Sequence, residues 1–161
     1  MATLTSTITE SISLNGADRG STNTLTVASV TQVFHRIVTV PATKDVTVAL
    51  FASTTADDTG GDPSIDVNDV KYIRVTNLST TASDIVNLSL QIDAGENDTD
   101  ADESATIALG GGESFIMNGA DDYIAVQDTN ATIETALHDL ESLLIDGHGS
   151  SNVSVEVFIA S

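Results

Sequence analysis

The clearest fold signal in this chain is a pair of runs in which apolar and polar residues alternate, DVKYIRVTNLS at 69–79 and IVNLSLQI at 85–92. In the second run the apolar positions are Val86, Leu88, Leu90 and Ile92. A period of two is typical of a β-strand with one buried face. The polar residues at 80–84 predict a reversal between the runs. The stretch therefore predicts two antiparallel strands joined as a hairpin, on which other strands can pack.

Further runs of the same kind flank this predicted hairpin on both sides. They fall at 24–28, 32–40, 46–51, 105–109, 114–117 and 153–159, with a shorter piece at 123–126. Pro41 ends the second of these runs, because proline cannot continue a central ladder. Turn signals every ~8 to 15 residues between short strands are typical of an all-β protein. We therefore expect one domain over residues 1–161, an antiparallel β-sandwich of about eight strands and most simply a jelly roll.

The segment from 132 to 145 allows two interpretations. Its apolar residues Ile133, Leu137, Leu140 and Leu144 lie at helical spacing, which would suit one amphipathic helix over 132–144. The alternative is a brief helical turn and then a strand over 140–145, closed by a hairpin loop at 146–149. We favour the strand, because the last run at 153–159 needs an antiparallel neighbour.

The first fourteen residues suggest a role in assembly. Leu4, Ile8 and Ile12 fall on even positions among Thr and Ser residues, which predicts an edge strand or an extended arm. Such a terminal strand, with a modest apolar face, is suited to pairing with a neighbouring molecule. These three residues are therefore the candidate assembly arm.

Charge and composition exclude several classes of protein. The chain has 24 acidic and 5 basic residues, a net charge of −19, so nucleic acid would be repelled. It is also 40% hydrophobic, which is too apolar for an acidic disordered chain. No run approaches the ~20 apolar residues of a membrane span, and the first ten residues lack the pattern of a secretory signal. Without cysteine there are no disulfides or thiolate metal sites. We expect a folded protein that binds neither nucleic acid nor membrane.

The excess of Asp over Lys fits saline surroundings, where salt screens the repulsion between the acidic residues, although turns also prefer Asp.

The densest acidic segment, 93–103, holds six carboxylates, and Asp98, Asp100 and Asp102 match the first three ligand positions of an EF-hand loop. The match then fails, because Glu103 stands at the required Gly and Leu109 at the twelfth position. These three aspartates are the metal candidates, and a solvated acidic loop is the expectation.

The remaining candidate sites are weaker. His138, Asp139, Asp146 and His148 could meet across the proposed 146–149 hairpin as metal ligands or an acid–base pair. Gly112-Glu-Ser-Phe115 has part of a nucleophile elbow, but Ile116 replaces the final Gly and no helix follows. His35 lies within an apolar run and is expected to be structural. The sequence therefore predicts no catalytic residues and no cofactor, and we expect a protein that is not an enzyme.

Five segments taken together resemble small β-rich structural proteins from the virions of marine tailed bacteriophages. They are SISLNG at 11–16, RIVTVP at 36–41, VKYIRVTNL at 70–78, GESFI at 112–116 and VEVFIA at 155–160. The resemblance implies a non-enzymatic subunit present in many copies on the virion, such as a capsid decoration or cement protein. It also admits a tail or fibre-associated subunit. The implied partners are the major capsid protein or tail subunits and further copies of the chain, and the two acidic loops depart from the family pattern.

A competing class is a carbohydrate-binding β-sandwich. Such modules usually present exposed aromatic rings on which sugars stack. This chain is only 4% aromatic and has no Trp, which argues against that class.

Overall fold

The computed structural model of the protein describes residues 1–52, 65–92, 103–118, 125–126 and 138–161. These ranges contain β-strands and one 3₁₀ turn at Val67–Asp69, and no α-helix. The strands are β1 (Ala2–Thr9), β2 (Ser13–Leu14), β3 (Ala17–Asp18), β4 (Thr22–Val30), β5 (Val33–Val40), β6 (Asp45–Ala52), β7 (Ile65–Asp66), β8 (Tyr72–Asn77), β9 (Ile85–Ile92), β10 (Glu103–Leu109), β11 (Ser114–Asn118), β12 (Ala125–Val126), β13 (His138–His148) and β14 (Val153–Ala160). The expected all-β class is confirmed.

Two sheets form the body of the protein. The four-stranded sheet has the order β11-β8-β14-β5, and the larger sheet has the order β10-β9-β13-β6-β7 with β12 beside β13. All pairings are antiparallel except the short one between β6 and β7. Both sheets contribute to one hydrophobic core. Its fully buried side chains include Ile73, Val75 and Ile159 from the first sheet and Leu88, Leu143 and Ile145 from the second.

The alternation read from the sequence explains which residues enter this core. In β14 the odd-numbered residues Val153, Val155, Val157 and Ile159 are buried, while the even-numbered residues Ser154, Glu156 and Phe158 are only partly buried. In β9 the buried set is Val86, Leu88, Leu90 and Ile92, as the period of two predicted. Each fully buried Val, Leu or Ile contributes roughly 1.5 to 3 kcal/mol. The periodicity therefore determines which side of each strand lies against the core.

The pairing of these strands differs from the prediction. The runs at 69–79 and 85–92 do form strands, but β8 pairs with β14 and β11, whereas β9 pairs with β10 and β13. The predicted hairpin over 69–92 is therefore wrong, because its turn carries the chain from one sheet to the other. A period of two determines which residues face the core and leaves the hydrogen-bonding neighbour undetermined.

The strand interpretation of the 132–145 segment is correct for its described part. Residues 138–148 form β13, so the helix over 132–144 is wrong from residue 138 onward, and residues 132–137 lie outside the described residues. The strand continues through His148, so the expected loop at 146–149 is replaced by a turn at 149–152. β13 and β14 also lie in different sheets and are not hairpin partners.

The buried Asn77 holds the crossing between β8 and β9 in place. Its side-chain nitrogen donates to the carbonyl oxygens of Asp84 at 2.7 Å and Leu109 at 3.0 Å, and its side-chain oxygen accepts the backbone N–H of Ser79 at 3.0 Å. The Asn77 side chain has no solvent exposure. These bonds satisfy backbone groups that the turn would otherwise leave unpaired.

The first thirty residues form a hairpin on the outer face of the four-stranded sheet. β1 pairs with β4, and β2 pairs with β3 at the tip. Asn15 and Gly16 both have positive φ, 53° and 76°, which suits the two-residue turn between β2 and β3. The predicted edge strand over 3–14 thus has a partner within the chain, and that partner extends beyond the expected 24–28.

Candidate assembly surface

The base of the N-terminal hairpin is anchored to the body. Buried Val30 forms a small apolar cluster with Tyr72 and Ala160, against which Leu4, Leu25, Val27, Ile116 and Phe158 pack. The hydroxyls of Ser6 and Tyr72 are 3.2 Å apart, and the Lys71 ammonium donates to the Ser29 carbonyl at 3.1 Å. These contacts hold the base of the hairpin against the sheet.

The rest of the hairpin, residues 7–23, extends past these contacts, and we call it the distal hairpin. Its residues are exposed, with Ala17 and Gly20 intermediate. Its apolar side chains include Ile8, Ile12 and Leu14, which are 47%, 54% and 57% exposed. Two of the candidate arm residues, Ile8 and Ile12, therefore lie in the distal hairpin, while Leu4 is half-buried at the base. An apolar side chain exposed on a projecting hairpin is available to a neighbouring molecule.

The second feature of this surface is the open edge of the four-stranded sheet. β5 is the last strand of that sheet and pairs only with β14 in the part of the chain that the structure describes. Val33 and Ile37 on this strand are 55% and 64% exposed. Its register with β14 is unbroken over eight residues, so no bulge turns the edge away.

An ionic network lies on the outer face beside this edge. The carboxylate of Glu156 accepts from Arg74 at 2.7 Å and contacts His35 Nε2 at 2.8 Å. The hydrogen bond to His35 and then that to Arg74 lower the pKa of Glu156 below its ordinary value. His35 was expected to be structural within an apolar run, and the structure places it half-exposed on the outer face with Glu156 as partner. Sequence reasoning missed this network, because its members are far apart in the chain.

The basic residues are unevenly distributed. No acidic residue occurs from Arg19 to Lys44, a span that holds three of the five basic residues, Arg19, Arg36 and Lys44. Arg36 lies on β5 with its guanidinium carbon 4.9 Å from the centre of the Phe34 ring. In a chain of net charge −19, β5 and the following corner are therefore a locally basic surface.

The structure describes only one of the two groups of residues that were candidates for metal binding. Asp98, Asp100 and Asp102 lie outside the described residues. The proposed group of His138, Asp139, Asp146 and His148 does not come together across a loop, because all four lie along β13. Asp146 lies seven positions after Asp139, which corresponds to roughly 23 Å along a strand.

The nucleophile-elbow resemblance has a structural explanation. Ser114 opens β11, and its hydroxyl lies 2.8 Å from that of Thr76. Glu113 accepts the backbone N–H of Gly110 at 2.8 Å, which closes the turn before it. Gly111 is required there, because a Cβ at this position would collide with the Thr81 carbonyl. The motif is therefore a β-turn with a strand after it.

The described residues contain neither a cluster of metal-binding side chains nor a membrane-spanning helix. No group of three or more His, Cys, Asp or Glu side chains in the described ranges could hold a metal ion. No helix in that part of the chain is long and apolar enough to cross a membrane. In comparisons with known proteins, no family model, curated protein or solved structure matched the chain. The features of the described residues that bear on function are therefore the hairpin, the sheet edge and the distribution of charge.

Proposed function

We propose that this protein is a non-enzymatic structural subunit of a tailed-phage virion, a capsid decoration or cement protein present in many copies. The observation that carries the proposal is the distal hairpin, which projects beyond a sandwich-like body and keeps three large apolar side chains exposed. Such projecting segments are a common means by which one subunit reaches another. The resemblance of five sequence segments to virion proteins of marine tailed phages agrees with this role.

The body of the proposed subunit is a jelly roll. Its support is the strand order, in which consecutive strands repeatedly cross between the two sheets: β5 to β6, β8 to β9, β10 to β11 and β13 to β14. Eight strands account for this pattern, with β5, β8, β11 and β14 in one sheet and β6, β9, β10 and β13 in the other. Double-sheet jelly rolls of eight strands are typical of viral capsid proteins and lectins. A lectin role receives less support, because the composition offers few aromatic rings for stacking.

The proposal is tested by locating the protein on the particle. Virions of the phage that encodes the chain are separated into capsids and tails, and each fraction is probed for the protein. We expect it in the capsid fraction at a fixed number of copies per particle. Recovery with tails alone would support the tail-subunit alternative, and absence from both fractions would overturn the proposal.

The role of the hairpin is tested with a trimmed variant. Ser6 and Leu25 occupy a hydrogen-bonded position of the β1–β4 pair, so an Asn-Gly turn can join them and replace residues 7–24. This variant keeps the anchored base, including the Ser6–Tyr72 contact. We expect binding to particles that lack the protein to weaken severalfold while the melting temperature changes little. A matched control, Leu25→Ser, damages the base and should lower the melting temperature instead. Unchanged binding by the trimmed variant would exclude the hairpin from attachment.

A further inference from the structure

We propose that the distal hairpin of one copy docks along the open edge of β5 in a second copy, adding a strand to its four-stranded sheet. The inference rests on the proposed role as a subunit present in many copies, and it names the partner surface of the hairpin. It concerns contact between copies, so it is tested with the isolated protein and without particles.

The acceptor is a strand edge whose outward backbone groups have no partner among the described residues. Gln32 and Ser161 exchange both backbone hydrogen bonds, at 3.0 and 3.1 Å, which fixes the alternation along the β5–β14 pair. Gln32 and the even-numbered residues of β5 therefore bond to β14, and Val33, His35, Ile37 and Thr39 direct their N–H and C=O groups to the open side. An exposed edge of this kind is a template for another strand.

The donor has an equally open edge. The N–H of Glu10 donates to the Ser21 carbonyl at 2.7 Å, and the N–H of Arg19 donates to the Ile12 carbonyl at 2.9 Å. Even-numbered residues of this strand thus bond within the hairpin, while Thr7 and Thr9 direct their backbone groups outward. Within one copy, no backbone hydrogen bond among the described residues joins the distal hairpin to β5.

Length, apolar surface and charge match between the two elements. Residues 7–14 and the eight residues of β5 would each extend about 26 Å. Eight large apolar side chains are exposed in the described part of the chain, and five of these belong to the two elements: Ile8, Ile12, Leu14, Val33 and Ile37. The distal hairpin carries Glu10, Asp18 and Arg19, a net charge of −1, whereas β5 and its corner bring Arg36 and Lys44. The negatively charged distal hairpin of a second copy would therefore meet a strand and corner whose own charged residues are basic.

Two proline substitutions test the contact without breaking a ladder inside either element. Ile37→Pro removes an outward N–H from the acceptor, and Thr9→Pro removes one from the donor. Proline is tolerated on an edge strand when its missing N–H faces solvent. Ser114→Pro is the matched control, because β11 is the opposite edge of the same sheet. Oligomeric state is measured by sedimentation across a wide range of protein concentration, with thermal melts to verify folding.

We expect the parent and Ser114→Pro to self-associate and each of the other two variants to be monomeric. An equimolar mixture of Ile37→Pro and Thr9→Pro should form a dimer, because one supplies an intact hairpin and the other an intact edge. Should either proline impair folding, Ile37→Glu keeps the backbone donor and places a negative charge on the edge that must receive a negatively charged hairpin, and it should also abolish association.

Three results would overturn the inference. They are a monomeric parent, a loss of association confined to Ile37→Pro, which indicates β5 pairing with itself, and a mixture that stays monomeric. A monomeric parent that still occurs on capsids would leave the proposed function intact and remove only this contact between copies. A parent that self-associates but is absent from virions would leave the contact between copies intact and overturn the proposed function.

Discussion

At the scale of single residues, one buried polar side chain holds a place where this chain changes sheet. Asn77 donates its amide hydrogens to the carbonyls of Asp84 and Leu109 and accepts the N–H of Ser79. The turn at 79–84 and the end of β10 thereby meet at one fully buried side chain. No apolar residue can supply these bonds, so the position is polar for a structural reason.

We expect Asn77→Ala to lower the free energy of unfolding by about 2 to 4 kcal/mol, because two buried carbonyls would lose their donor. The measurement is chemical denaturation of both proteins. The control is Asn152→Ala, which removes a single exposed bond from the Ala42 N–H, 3.2 Å long, and should cost under about 1 kcal/mol. Equal losses in the two variants would contradict this account of the crossing.

A second prediction at this scale concerns pH. The bonds from His35 and Arg74 lower the pKa of Glu156, so the folded state favours its charged form. The stabilisation is present above the ordinary pKa of a glutamate and is lost as pH falls through the lowered value. We expect Glu156→Gln to be less stable than the parent at neutral pH and to converge with it in acid.

The convergence is measured by thermal melts of both proteins from pH 7 downward. Glu113→Gln serves as a control, since Glu113 contacts the Gly110 N–H on a turn and has no ion-pair partner among the described residues. A gap between parent and Glu156→Gln that persists unchanged in acid would show that the effect is packing and not charge.

At the scale of strands, the sequence predicted their positions and facing far better than their partners. Alternation over 85–92 and 153–159 identified the buried faces of β9 and β14, because the requirement for a dry face acts on each strand separately. The hydrogen-bonding partners of a strand depend on whether the turn after it keeps the chain in the same sheet or carries it to the opposite sheet. The turns after β8 and β13 both cross between the sheets. At the first of these turns the crossing is held by the buried amide of Asn77, which looks like an ordinary turn residue in the sequence.

The candidate surface was predictable only in part. The apolar positions Leu4, Ile8 and Ile12 indicated an assembly segment, but its pairing with β4 depends on a register that the Thr-rich strands define weakly from sequence alone. The open edge of β5 was not foreseen, since an edge strand and a central strand of β-branched residues have the same pattern. The His35–Glu156–Arg74 network required the fold, because β5, β14 and β8 bring these residues together.

At the scale of the whole molecule, charge opposes compaction. For 161 residues the radius of gyration falls from about 42 Å unfolded to about 15 Å folded, so like charges lie nearly three times closer in the native state. The chain has 24 acids and only 5 bases to offset them. The ion pairs of Glu156 lose strength with salt, but they are few against the excess of repulsive pairs.

We therefore expect the melting temperature to rise with sodium chloride, most steeply below about 0.5 M, where the Debye length shortens from about 30 Å at 0.01 M to about 10 Å at 0.1 M. Each 1 kcal/mol gained in the free energy of unfolding should raise the melting temperature by about 2 to 4 °C.

Eleven of the acids lie in the segments 57–69 and 93–103, which contain no Lys or Arg. Replacing Asp98, Asp100 and Asp102 together with Asn should raise the melting temperature at low salt and flatten the salt response. A specific calcium site at these aspartates gives the opposite sign, because the parent alone would then gain stability in millimolar calcium. Melts of both proteins in sodium chloride, calcium and chelator separate the two, and a parent that does not respond to sodium chloride would contradict the repulsion argument.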